Sequence, residues 1–257
     1  MSEPPRVRHR FAVPPDAVRG GQVRFPEGAA RQMRRVLRLK PGDRVTAFDG
    51  RGEEYIVSLV TLRDEGAVGA IEQQRTLASE PRLSITLYQA LLPREKFELV
   101  LQKGTEVGVR EFVPLVTERS LVPARALDAG RLDRWRRIVA EAAEQAGRGE
   151  VPALAEPLPL AEALAGRAIE PALLAWERES DRSARRALTD LEPRLRDGRL
   201  ALFVGPEGGF SPAEALAART VGVDTISLGP RILRAETAGP LLAALALYQA
   251  GDLEPPR

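Results

Sequence analysis

The apolar positions of the chain change their period near residue 77. Over residues 6–75 they fall in short runs, with candidate strands at 9–13, 22–25, 44–48, 54–60 and 67–72. Pro14-Pro15, Pro26-Glu27-Gly28, Pro41-Gly42-Asp43 and Asp49-Gly50-Arg51-Gly52 separate these runs, and residues of this kind end ladders and turn the chain. Closely spaced strands predict a small antiparallel barrel, interrupted by one helix over 28–37. Beyond 77–81 strand and helix patterns alternate, at 83–89, 94–107, 112–116, 132–146, 172–176 and 182–196. Apolar, β-rich runs between helices predict a largely parallel sheet covered on both faces. The pattern therefore predicts two domains, 1–77 and 78–257.

Two glycine-bearing turns come next. In the first, Leu202-Phe203-Val204 is a β-favouring run that Gly205-Pro206-Glu207-Gly208-Gly209 cannot continue, because Gly and Pro break the ladder and permit positive φ. Ser211 then starts a helix, with Pro212 suited to the first helical position and Glu214 completing a capping box. In the second, a strand over 225–228 ends at Gly229-Pro230, and Leu241, Leu242, Leu245 and Tyr248 recur at helical spacing until Gly251. Between them Arg231-Ile232-Leu233-Arg234-Ala235-Glu236-Thr237-Ala238 sets apolar residues beside two arginines and an acid. Taken alone, the first loop reads as an ordinary βα connection. Together the two loops point to one ligand held against main chain. Residues 89–94 contain no glycine where a dinucleotide fold carries its fingerprint, and no GxxxxGK[ST] loop occurs.

Charge alters the reading of the N-terminal end. Residues 1–44 hold 11 Lys or Arg and 4 Asp or Glu, a balance of +7, so with a net charge of +2 the remainder sums to −5. Such asymmetry predicts an anionic partner. In the helix over 28–37, Arg31, Arg34, Arg35 and Arg38 recur at three- and four-residue spacings with no compensating acid, while Met33, Val36 and Leu37 face inward. That face suits phosphate and equally suits a solvated basic surface; the regional excess favours RNA. Cysteine is absent and His9 is the only histidine, which excludes thiolate and multi-histidine metal sites, so no metal is expected. The start MSEPPRVRHR is polar and no apolar run approaches membrane-spanning length, which predicts a soluble, cytoplasmic protein.

GPEGGF followed by LGPRILRAETA closely resembles the ribosomal RNA small-subunit methyltransferase E family of the knotted SPOUT superfamily. Further stretches are similar to the family: RFAV at 10–13 and VLRLKPGD at 36–43 in its PUA-like RNA-binding domain, then QKGTEVG at 102–108, PLVTERS at 114–120 and an EAAEQ-R pattern at 141–148. Gln32 stands where the family carries a histidine. The resemblance implies an α/β fold, with a small PUA-like β-barrel over 1–77 and a trefoil-knotted, largely parallel SPOUT domain over 78–257. It also implies S-adenosylmethionine as methyl donor, N3 of a uridine near the 3′ end of 16S ribosomal RNA as acceptor, in the free RNA or the assembled small subunit, and a homodimer.

Carried onto this sequence, the resemblance implies that the main chain of 205–209 and 228–233 grips the donor, with Ile232 and Leu233 against its adenine. The candidate cofactor set is Leu174, Val204, Gly205, Pro206, Glu207, Gly208, Gly209, Leu228, Gly229, Ile232, Leu233, Thr237 and Ala238. Arg234 stabilises charge on the uracil carbonyl oxygens, and Glu236 positions Arg234 or assists proton removal. Glu236 has a structural alternative, as a cap on the last helix or a partner of Arg231. Candidate RNA contacts are Arg10, Arg31, Arg34, Arg35, Arg38, Lys103, Arg119 and Arg148. Lys103, one turn from Glu106, equally suits a surface ion pair. The last helix, with its apolar stretch at 241–250, is a candidate dimer interface. A non-catalytic ribosome-associated protein and a SPOUT enzyme acting on another RNA are the alternatives. Intact glycines weigh against the first and the full-length resemblance against the second.

Overall fold

A computed structural model describes residues 9–76, 79–121, 129–166, 171–195 and 198–254. Its internal contacts divide the chain into two compact units, Met1–Glu80 with Ala143–Val151, and Pro81–Ala142 with Pro152–Arg257. Leu77 and Ala78, at the expected boundary, and Arg196, the expected end of a helix, lie outside the described residues.

In the first unit, strands β1 (Arg10–Ala12), β2 (Val18–Arg19), β3 (Gln22–Phe25), β4 (Arg44–Phe48), β5 (Glu53–Arg63) and β6 (Gly66–Thr76) form one sheet among the described residues. Their order is β1-β4-β5-β6-β3-β2. The pairing is antiparallel except for β1 on β4, which is parallel. A parallel pair needs a long connection, and residues 13–43, which include β2 and β3, supply it. Alternate residues Val23 and Phe25, Val45 and Ala47, and Val57 and Leu59 face a core shared with Phe11 and Met33.

Helix α1 (Glu27–Arg31) does not run on in α geometry; residues Gln32–Val36 form a π-helical turn. A π-turn widens the spiral and rotates the side chains beyond it about the helix axis. Met33 stays buried, but Val36 is 72% exposed, against the expectation that it faces inward. Residues 143–151 are fastened to this unit by charge. The Glu80 carboxylate accepts from Arg148 Nη2 at 2.6 Å and from the Gly149 and Glu150 amides, while the Ala12 amide donates to Glu144 at 2.6 Å.

The second unit contains β7 (Ser84–Ala90), α2 (Arg94–Val107), β8 (Glu111–Val116), α3 (Ala129–Ala146, whose last turn belongs to the first unit), β9 (Ala153–Leu154), β10 (Leu158–Pro159), α4 (Leu160–Ala165), β11 (Ala172–Ala175), α5 (Ala184–Leu195), β12 (Arg199–Val204), α6 (Pro212–Thr220), β13 (Asp224–Ile226) and α7 (Ala235–Ala250). The sheet order is β10-β8-β7-β12-β11-β13, with β9 also on β8, and every pair is parallel. Side chains alternate across it. Phe203 stacks on Tyr88 at 4.4 Å and shares a core with α4, α6 and Phe210. Residues of opposite parity, such as Leu87 and Leu202, are buried on the other face, where α7 packs on β7 and β12 beside α2 and α5. Among the described residues no helix is long and apolar enough to cross a membrane.

Helix α2 lies so close to β8 that a side chain cannot fit between them. A Cβ on Gly104 would stand 2.7 Å from the ring of Phe112, which is fully enclosed. Alanine favours a helix over glycine by ~1 kcal/mol, whereas overpacking a rigid core costs about 1–3 kcal/mol. Gly104→Ala is therefore expected to lower the unfolding free energy by up to about 2 kcal/mol in urea titration; a more stable variant would show that the ring yields.

Candidate functional site

The register of three strands builds the site. Ala175 of β11 is aligned with Val204 of β12 on one side and Ile226 of β13 on the other. All three strands stop at this level, and the chain leaves them as three adjacent loops. At the carboxyl ends of these strands is a cavity of about 420 Å³, within the ~300–1,000 Å³ range of small-molecule sites. It is lined by 175–177, 204–209, 227–236 and Ala238.

Of the expected cofactor residues, Val204, Gly205, Pro206, Glu207, Gly208, Gly209, Leu228, Gly229, Ile232, Leu233 and Ala238 line this cavity, as do Arg234 and Glu236. Leu174 does not. It is fully buried one residue below the floor, in register with Phe203 and Thr225. Thr237 also stays off the wall, exposed in the first turn of α7. That helix begins at Ala235, before the Gly239-Pro240 pair, so Thr237 is helical rather than part of the loop. Trp176 and Glu177, which no motif in the sequence marks, form the third wall. Their place is set by sheet order, because β11 inserts between two strands that are consecutive in sequence.

Each wall is fixed by identifiable bonds. Gly209 has φ +65°, open to glycine, and a Cβ there would stand about 2.5 Å from the Glu177 carboxylate. Below the first loop, the Ser211 and Glu214 capping box forms as expected, and Glu214 also accepts the Glu118 amide at 2.8 Å. Arg119 donates to the Gly208 carbonyl at 2.8 Å, and Lys96 pairs with Glu207 at 2.7 Å. The Trp176 indole donates to the Phe210 carbonyl at 3.2 Å. Glu179, 8% exposed, accepts from Thr225, Arg219 and the Asp181 and Arg182 amides, tying the β11 loop to β13 and α6. Burial would raise this carboxyl, but those hydrogen bonds outweigh it and hold it at about 2.

The catalytic candidates differ in setting. Arg234 is the N-cap residue of α7, its side chain is exposed, and it has no partner among the described residues. Glu236 lies in the first turn of α7, where a negative charge suits the helix dipole. Its Oε2 is buried without a hydrogen-bond partner, and no ion pair joins it to Arg231. Nor does Glu236 cap the helix: no side chain among the described residues caps this end, and the Arg234 carbonyl accepts the Thr237 and Ala238 amides as the first bonds of the helix itself.

Several expected RNA contacts have protein partners, and two of them, Arg10 and Arg148, are enclosed. Arg10 lies 4.4 Å over Phe48 and donates to Glu54 and the Arg148 carbonyl; Arg148 itself is 4% exposed on Glu80. Arg119 clamps the first loop, and Lys103 pairs with Glu106. The arginine turn does have compensating acids: Glu27 pairs with Arg31, and Asp64 takes both Arg34 and Arg35. Glu27 precedes the 28–37 stretch, and Asp64 arrives from the distant β5–β6 hairpin. Arg38 alone of the four is without an acid, and its φ of +56° is the one positive value for a non-glycine among the described residues.

An RNA methyltransferase domain model matches residues 79–249, and an RNA methyltransferase PUA domain model matches 33–69. The ribosomal RNA small subunit methyltransferase E of Synechocystis is 33% identical, the alignment covering 90% of this chain and 75% of that protein. The chain belongs to the ribosomal RNA small subunit methyltransferase E family. A family member from Neisseria gonorrhoeae, solved bound to S-adenosyl methionine, has 34% identity and a TM-score of 0.81, covering 93% of this chain and 96% of that one. A putative methyltransferase from Legionella pneumophila, also holding SAM, has 30% identity and a TM-score of 0.83, covering 94% and 97%. The family's α/β fold, with a parallel sheet and a PUA-like domain, is the one seen here.

Glu179 gives a measurable handle on the third wall. Its depressed pKa stabilises the fold above the ordinary value of 4.5, and that contribution is lost as pH falls towards 2. Glu179→Gln is expected to cost on the order of 2–3 kcal/mol at pH 7. In urea titrations its deficit against the parent protein should shrink between pH 4.5 and 2; a deficit constant with pH would assign the loss to packing.

Proposed function

We propose that the protein transfers a methyl group from S-adenosylmethionine to N3 of a uridine near the 3′ end of 16S ribosomal RNA. The observation that carries this reading is the closure of GPEGG and LGPRILRAETA on one cavity, with Arg234 and Glu236 on its wall. The residues fit such a donor. Gly208 and Gly209 bring the first loop's main chain to the wall with Arg119 and Glu177 packed against it, Gly229 at φ +109° faces open space, and Ile232 and Leu233 supply apolar surface. The bound S-adenosylmethionine of the Neisseria and Legionella relatives supports the same assignment.

When bound, the donor supplies an electrophilic methyl group on a sulfonium. The main chain of 205–209 and 228–233 would hold it, and the bonds from Arg119, Lys96 and Trp176 anchor the first of these loops. Alignment of this kind is a large part of catalysis where neither a covalent intermediate nor a strong nucleophile is built. N3 of uridine attacks only as its proton leaves, so the chain must favour negative charge on the uracil. Arg234, exposed beside the cavity, places a guanidinium for the carbonyl oxygens that carry this charge. Glu236 Oε2, buried and free to accept, takes the N3 proton; no hydrogen bond or ion pair joins Glu236 to Arg234, so the positioning role expected for it has no contact behind it.

The proposal extends to the rest of the chain. The first unit, with Arg38 and its paired neighbours around the π-turn, binds RNA as a PUA-like module. The C-terminal elements thread as a trefoil knot, consistent with α7 returning across β7 and β12. Leu241, Leu245 and Tyr248, one exposed stripe on α7, form the interface of a cytoplasmic homodimer.

Arg234→Ala is expected to lower single-turnover methyl transfer by ~100-fold or more, the range for removing one charge-stabilising donor. Its calorimetric affinity for S-adenosylmethionine should stay within about three-fold of the parent. Undiminished transfer would remove this arginine from the reaction.

A further inference from the structure

Two groups of arginines bear on how the chain meets RNA. Those the sequence offers to RNA are mostly spent on protein partners: Arg10 on Glu54, Arg31 on Glu27, Arg34 and Arg35 on Asp64, and Arg148 on Glu80. A second group is exposed and has no hydrogen-bond or ion-pair partner for its guanidinium groups among the described residues: Arg178, Arg185, Arg186, Arg231 and Arg234; Arg19, Arg24, Arg38, Arg51 and Arg63 of the first unit and Arg137, Arg194 and Arg199 of the second share this state.

The first five belong to one edge of the second unit. Arg231 and Arg234 line the cavity mouth, and Arg178 directly follows the wall residues Trp176 and Glu177. Arg185 and Arg186 occupy the first turn of α5, which is fastened to the second loop: the Ser227 amide donates to the Arg182 carbonyl at 2.8 Å, and the Ala184 amide to the Ser227 carbonyl at 2.9 Å. Nothing in the fold asks for cations there. The positive end of a helix dipole disfavours them, and no acid in that turn offsets the effect. Nearby Arg182 shows the usual arrangement, paired with Asp190 and Asp224. The exposed acids on this edge are Glu177, against Gly209, Asp181, which accepts from Ser180, Glu207, paired with Lys96, and Asp190 and Asp224, paired with Arg182. Five unpaired cations thus face two exposed acids that have no basic partner, Glu177 and Asp181, together with the partly buried Glu236.

We infer that this rim is a second RNA-binding surface, on which Arg178, Arg185 and Arg186 contact phosphates of the strand whose base enters the cavity. The inference rests on the proposed function. An arc of free guanidinium groups matches a phosphodiester backbone in charge and in hydrogen-bond geometry. Arg234 then belongs to both surfaces, at the point where the strand meets the site.

The test uses the full-length protein and a transcript of the 3′ domain of 16S ribosomal RNA, with binding followed by fluorescence anisotropy across a salt series. The triple variant Arg178→Gln/Arg185→Gln/Arg186→Gln is expected to bind at least ~10-fold more weakly at fixed salt. Its slope of log K against log salt should fall by about 2, the value for three lost contacts to single-stranded phosphate. S-adenosylmethionine affinity should be unchanged, and the corresponding triple lysine variant should regain most of the slope. Unaltered RNA affinity and slope in the glutamine variant, with the parent protein binding, would overturn the rim alone. A change in its association state by sedimentation would also overturn it, by giving the face to a protein contact. A parent protein that binds no RNA would sink the proposed function together with the rim.

Discussion

The common stopping level of three parallel strands is the constraint on which the rest of the molecule depends. Because Ala175, Val204 and Ile226 share a register, the loops beyond them leave the sheet together and enclose one space. A one-residue shift in any pair would turn that strand's core side chains to the opposite face, so the core that fixes the register also fixes the cavity. Glu179 completes the arrangement from the side, since a carboxylate with four donors holds the β11 loop to β13 and α6.

Charge is used in two ways. Inside the first unit, pairs such as Arg148 with Glu80 and Arg10 with Glu54 are enclosed, and such pairs fix geometry more than they add stability. Around the mouth of the second unit the arginines are left to solvent. A protein that must hold a methyl donor and receive a long polyanion has reason to separate these tasks: bare main chain for the small molecule, unpaired cations for the large one.

Much of this is legible in the sequence where the signal is local. The limits of β3, β4 and α2 are set by alternation and helical spacing bounded by Pro and Gly, and the α6 capping box by the spacing of Ser211 and Glu214. Most of the cavity wall comes from the two glycine loops. The features hidden from the sequence depend on contacts distant along it. No residue in QMRRV marks a π-turn, so helical spacing alone turns Val36 inward. Asp64 meets Arg34 and Arg35 only when the β5–β6 hairpin folds back. Trp176 and Glu177 line the cavity because β11 lies between β12 and β13, an order that strand propensity does not encode. Two-residue strands such as β9 and β10 are too short to carry a period.

The central claim is that the two glycine loops and the end of β11 form a single receptor for S-adenosylmethionine. A crystal structure of the full-length protein grown with that compound tests it most directly. The account predicts the adenosyl group between residues 204–209 and 228–233, with the methyl group turned towards Arg234. Density for the compound elsewhere on the chain, or an empty cavity at saturating concentration, would contradict it.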